Sequence, residues 1–226
     1  RGGSMPSKKR IAITLITVIA LVSGIGLVGL PMWHALQFRW GVEEGNQFTY
    51  DVHVFGYEEH YDANGSYYEP PPYASFNNSV ITVNITFLPD IPILLTPDAY
   101  VEHVIIIEKV TAVASSNMTG TETEIAERYR VLSSLISCCL TPVGGWTILD
   151  SFYPNRPVAS WTLDTYLSSL ESNEFFIGHH YHSCDAADGW SGSISLDTGM
   201  PDSVTFWSYD LSGGPIIYYS ITLTLR

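Results

Sequence analysis

Positive charge is what this 226-residue sequence most conspicuously lacks. Beyond residue 40 the fixed cations are Lys109, Arg128, Arg130, Arg156 and Arg226, five against 23 carboxylates, a formal −18. A chain with no basic stripe does not bind nucleic acid, because polyanion binding draws on clustered Lys and Arg. The same charge disfavours lying flat on anionic lipid, so this part stands off a membrane surface in an ionic exterior. Cysteine is scarce as well, with only Cys138, Cys139 and Cys184. No H-E-x-x-H, paired C-x-x-C, G-x-S-x-G elbow or Gly-rich phosphate loop occurs, which removes the common hydrolase and nucleotide signatures.

What is present is concentrated first at the N-terminus. Lys8, Lys9 and Arg10 precede an uncharged run from Ile11 to Trp33. In a helix, 23 residues reach about 34 Å, enough to cross a hydrocarbon core of about 30 Å. The basic flank keeps its own side cytoplasmic and sends everything after Trp33 outside. A cleaved signal peptide is the competing reading, but its apolar stretch is normally about 7–15 residues with a small-x-small cleavage site. The expected organisation is a cytoplasmic basic tail over 1–10, of which 1–4 read as a scar or leader, an anchor over 11–33, a neck over 34–40 and an extracellular domain over 41–226.

Within that domain, Gln47 to Tyr57 alternates, with Phe48, Tyr50, Val52 and Val54 on one side and Gln47, Thr49, Asp51 and His53 on the other. Val80 to Phe87 alternates again, and Val104 to Ala114 reads as a buried strand. Between the first two lies a stretch expected as a loop, Tyr57 to Tyr73, marked by Asn64-Gly65 and the run Pro70 to Pro72. Thr96-Pro97 opens a helical turn. From Glu122 the period turns helical, with Ile125, Tyr129, Leu132, Ile136 and Cys139 on one stripe, stopped by Pro142 and Gly144-Gly145. Shorter helices are expected over Trp146 to Phe152 and Trp161 to Leu170. Phe175 to His182, Trp190 to Leu196, Val204 to Tyr209 and Ile216 to Leu225 then read as a meander of hairpins. The fold class that follows is α+β: an N-terminal transmembrane helix, then one curved antiparallel sheet with helices packed on one face.

That order of parts resembles the half-barrel lipoprotein-carrier and related lipid-binding proteins, a likeness of fold alone that implies a hydrophobic ligand held against the sheet. Gly41-Val42-Glu43-Glu44-Gly45, Leu88-Pro89, Pro142-Val143-Gly144-Gly145-Trp146 and Asp197-Thr198-Gly199-Met200-Pro201 resemble elements of uncharacterised archaeal surface proteins with a single anchor. These are turn and packing elements, and they imply lineage without implying an activity.

Candidate functional residues fall into five groups. Asn64, Asn77, Asn84 and Asn117 each begin an N-x-S/T sequon, all beyond the anchor, as expected of a glycosylated exterior surface. Adjacent cysteines rarely bridge each other, so a disulfide would join Cys184 to Cys138 or Cys139; three reduced, buried cysteines is the alternative. His180, His182 and Cys184 would share one face of a strand, the sharpest hint of a zinc site and hence of an extracellular zinc-dependent hydrolase. Against it, a strand end beside a loop explains the same residues. Asp62-x-Asn64-x-Ser66 with Glu69 begins like a calcium loop, but Glu69 stands at the eighth position where the bidentate ligand belongs at the twelfth. No cofactor is therefore expected, with zinc and calcium as the alternatives. Finally, Tyr57, Tyr61, Tyr67, Tyr68 and Tyr73 punctuate an acidic loop suited to contacting a protein or a sugar. The functional expectation is a surface-exposed, non-enzymatic binding or structural domain, taking a lipid or other hydrophobic ligand between sheet and helices or contacting an envelope protein through the tyrosine-rich loop.

Overall fold

The computed structural model describes residues 38–91, 111–115, 122–152 and 163–226. The apolar run 11–33, the helical turn at Thr96-Pro97, the first part of the Val104–Ala114 strand and the Asn117 sequon lie outside them. Among the described residues no helix is long and apolar enough to cross a membrane.

Among the described residues, nine strands form one antiparallel sheet. These are β1 (Gln47–Asp62), β2 (Gly65–Glu69), β3 (Ser79–Phe87), β4 (Thr111–Ser115), β5 (Leu163–Leu170), β6 (Glu174–His182), β7 (Ala186–Ser195), β8 (Pro201–Asp210) and β9 (Ile216–Leu225). The spatial order is β4-β3-β1-β9-β8-β7-β6-β5, with β2 paired to β1 off this path. Consecutive strands from β6 to β9 are neighbours, the expected meander; β5 extends it beside β6, and β9 closes onto β1. Among the described residues two α-helices, α1 (Glu122–Cys139) and α2 (Trp146–Phe152), pack on one face.

Period-two burial dictates that layering. The cross-strand row Val52, Leu223, Val204, Gly192 and Ile177 lies on the helix face. Onto it α1 lowers Leu132, Leu135, Ile136 and Cys139, all buried. Gly192 is where the helix comes closest: a Cβ built there would stand 2.6 Å from the Cys139 sulfur. A side chain at this point would lift the helix end from the sheet. A second apolar cluster under α2 joins Leu149 to Phe38, Phe175, Ile177 and Ile194.

Two expectations are corrected. Leu163–Leu170 is a strand, not a helix: it pairs along its length with β6, from Leu163 opposite His182 to Leu170 opposite Phe175. Tertiary pairing overrides the ambiguous local spacing there. The stretch after Tyr57 is not a loop either. β1 runs on to Asp62, which pairs with Gly65 at the start of β2, so Ala63-Asn64 is the two-residue turn of a β-hairpin.

The neck is partly docked. Arg39 exchanges backbone hydrogen bonds with Val143 at 3.0 and 2.7 Å, and the Trp40 indole donates to the Pro89 carbonyl at 2.8 Å. Thr141 donates its backbone N–H to the Gly199 carbonyl at 3.0 Å, and Glu44 accepts from the Leu88 N–H at 3.1 Å. Four separate turn segments thus meet at the end of the sheet where the chain enters it. The β1–β2 turn lies at the opposite end of a 16-residue strand, about 50 Å away at 3.3 Å per residue.

Candidate functional site

The distal half of β1 begins at Gly56, which has φ +135° and lies against the backbone of Tyr218 and Tyr219, where a Cβ would collide. Val54 is the last buried residue of the strand; beyond it the sheet continues past its main core. Along this extension the two faces carry different chemistry.

The face turned away from the helices is aromatic. Phe55 meets Tyr218 edge-on at 6.3 Å, Tyr57 lies 6.1 Å from Tyr218, and Tyr57 meets Tyr68 edge-on at 5.3 Å. Such pairs hold rings in fixed relative orientation. Yet these rings are open to solvent: Phe55 is 69%, Tyr61 62% and Tyr68 63% exposed. The Tyr68 hydroxyl donates to Glu59 Oε1 at 3.2 Å, and the Glu59 charge raises the phenol above its ordinary value, keeping it a donor. Register continues the stripe through Tyr218 to Tyr209, and one row nearer the neck His180 meets Trp207 edge-on at 5.6 Å.

The helix-side face of the same hairpin carries Glu58, His60, Tyr67 and Glu69. Cross-strand register places Glu58 opposite Glu69 and His60 opposite Tyr67. The His60 ring stacks on Tyr67 at 5.1 Å with 10° between planes. Its Nε2 lies 3.4 Å from Glu58 Oε2 and 3.5 Å from Glu69 Oε2. These three ligand atoms lie within 4.8 Å of one another. Hydrogen-bond geometry is not reached, and Nε2 is buried with no hydrogen-bond partner.

The five tyrosines singled out from the sequence therefore divide three ways. Tyr57, Tyr61 and Tyr68 belong to the aromatic face, Tyr67 holds His60, and Tyr73 is half-buried, 5.9 Å from Tyr219 at the edge of the core. Phe55 and Tyr218 were missed; the alternation of Phe55, Tyr57, Glu59 and Tyr61 was the signal for the first.

His180, His182 and Cys184 are not brought together. β6 ends at His182, and Ser183 bonds across the turn to Ala186, so Cys184 leaves the strand's period. His180 instead packs on Trp207, and burial lowers its pKa. The Cys184 disulfide is not formed: all three thiols are free. Cys139 is fully buried against Gly192, whereas Cys184 is exposed beyond Ala186, about 20 Å along β7. Burial pushes the Cys139 thiol up, making it an inert core group. The Asp62 carboxylate, first of the calcium-like series, accepts the Asn64 N–H at 2.7 Å and serves the turn. Of the sequons, Asn64 and Asn77 are exposed, with Asn77 Oδ1 accepting the Val54 N–H at 3.0 Å. Asn84 is half-buried between Gln47 and Val113, its Oδ1 enclosed.

No family model, curated protein or solved structure matches the chain.

Proposed function

We propose that this chain is a membrane-anchored, surface-exposed, non-enzymatic binding module that grips a protein of the cell envelope through the aromatic face of its distal hairpin. The anchor is the apolar run 11–33 behind Lys8, Lys9 and Arg10. Entry of the chain at one end of the sheet and the hairpin turn at the other support a module that presents its tip away from the membrane.

One observation carries the reading: Phe55, Tyr61 and Tyr68 are each more than three-fifths exposed on one face, alongside Tyr57 and Tyr218. Isolated exposed apolar groups are ordinary, but a contiguous aromatic patch rimmed by polar residues marks a contact surface. Tyr and Phe supply large, rigid area at low entropic cost, the composition of interface hot spots. The −18 charge beyond residue 40 favours a partner with a basic rim. On the helix side, Leu132, Ile136 and Cys139 seat directly on the sheet and fill the space where a lipid would lie, which supports the partner over the hydrophobic ligand.

A photo-crosslinking side chain placed at Tyr61 in the full chain, in its native membrane, tests this. The expected product is one discrete protein adduct, absent when the same probe replaces Thr86 near the neck. Adducts with lipid alone, or equal protein adducts from both positions, would overturn the proposal.

A further inference from the structure

We infer that Glu58, His60 and Glu69 form a binding site for a divalent first-row transition ion, zinc foremost, that clamps β2 onto β1. This is independent of whether the aromatic face on the other side of the hairpin binds a partner. Register sets two carboxylates directly opposite each other, and like charges so placed repel. A cation between them removes that cost.

The distances fit an ion between the three groups better than a direct hydrogen bond. A charged imidazole donating to a carboxylate closes to about 2.7–2.9 Å. Zinc bonds of about 2.0–2.2 Å at tetrahedral angles hold neighbouring ligand atoms about 3.3–3.5 Å apart. His60 Nε2 stands 3.4 and 3.5 Å from its two carboxylate oxygens, the edges of such a tetrahedron. The nitrogen is enclosed without a hydrogen bond, and the Tyr67 ring fixes its plane. One imidazole with two carboxylates selects zinc or a neighbouring transition ion, since calcium takes six to eight oxygens. Three protein ligands leave a fourth position for water, on the side where Glu69 is 54% exposed.

The test uses the full chain, purified without a histidine tag and stripped by chelator, then titrated with zinc against a chromophoric competitor. One zinc per chain is expected. His60→Ala and Glu69→Gln should each weaken it by at least the ~10- to 100-fold that lesser outer-shell changes cost. Glu69→Gln replaces a half-exposed side chain isosterically, so it remains informative if His60→Ala unfolds the hairpin. H180A/H182A should bind as the parent does. X-ray absorption should find nitrogen and oxygen at about 2.0–2.2 Å and no sulfur near 2.3 Å. Absence of binding, Glu69→Gln binding like the parent, calcium binding as tightly as zinc, a sulfur ligand, or loss of zinc in H180A/H182A would each overturn the site.

Discussion

From Tyr50 to Val54, β1 buries every second side chain beneath the helix layer, whereas from Phe55 to Tyr61 it buries none and leaves Phe55, Tyr57 and Tyr61 to solvent. Apart from the positive φ of Gly56 where they join, both halves are extended strand. β9 pairs with both, while β3 accompanies the first and β2 the second. What changes is the cover. Ordering a residue costs about 1–2 kcal/mol in chain entropy, and the neck-side half offsets this by burying apolar area. The distal half orders a hairpin with little burial to offset it. That expense makes sense where exposed rings and facing carboxylates have a task other than holding the fold.

Substitutions at the two ends should therefore separate stability from binding. Leu132→Ala, fully buried on α1, should cost about 2–5 kcal/mol in denaturant unfolding of the full chain. Gly192→Ala should cost about 1–3 kcal/mol by pushing against Cys139, and Gly192→Ala combined with Cys139→Ala should recover part of it. At the distal end, Phe55→Ser and Tyr61→Ser should each change stability by no more than about 0.5 kcal/mol. A loss of several kcal/mol from either would erase the contrast between the halves.

The smallest effect is a pH dependence. Burial lowers the His180 pKa below its unfolded value, so the folded state binds the proton more weakly than the unfolded state. Its contribution is intact above the unfolded value near 6.5 and is lost as pH falls through the lowered folded value. His180→Phe, which keeps a ring against Trp207, should flatten the stability–pH curve in that interval. An unchanged curve would remove His180 from the account.

Alternation made most strands legible: Ile81, Val83 and Ile85, or Ile221 and Leu223, declare a face without help from partners. The α1 stripe was legible for the same reason, and Leu132, Ile136 and Cys139 are buried where that stripe put them. β5 was not legible, because Leu163, Tyr166, Leu167 and Leu170 fit helical spacing as well as a strand, and pairing with β6 decides between them. The hairpin is masked in the sequence because Asn64-Gly65 and the run Pro70 to Pro72 bracket so short a strand that the whole stretch has the composition of a loop. The Glu58–His60–Glu69 group could not be read at all. Whether Glu69 arrives opposite Glu58 depends on a register that a turn one residue longer would alter.

The most direct test of the central claim is oxidative footprinting of the full chain in its native membrane and after purification in detergent. Phe55, Tyr61 and Tyr68 should be protected in the membrane and reactive once purified, while Phe87, also exposed but near the neck, should react equally in both. Equal reactivity of the three distal rings in the two preparations would contradict the claim.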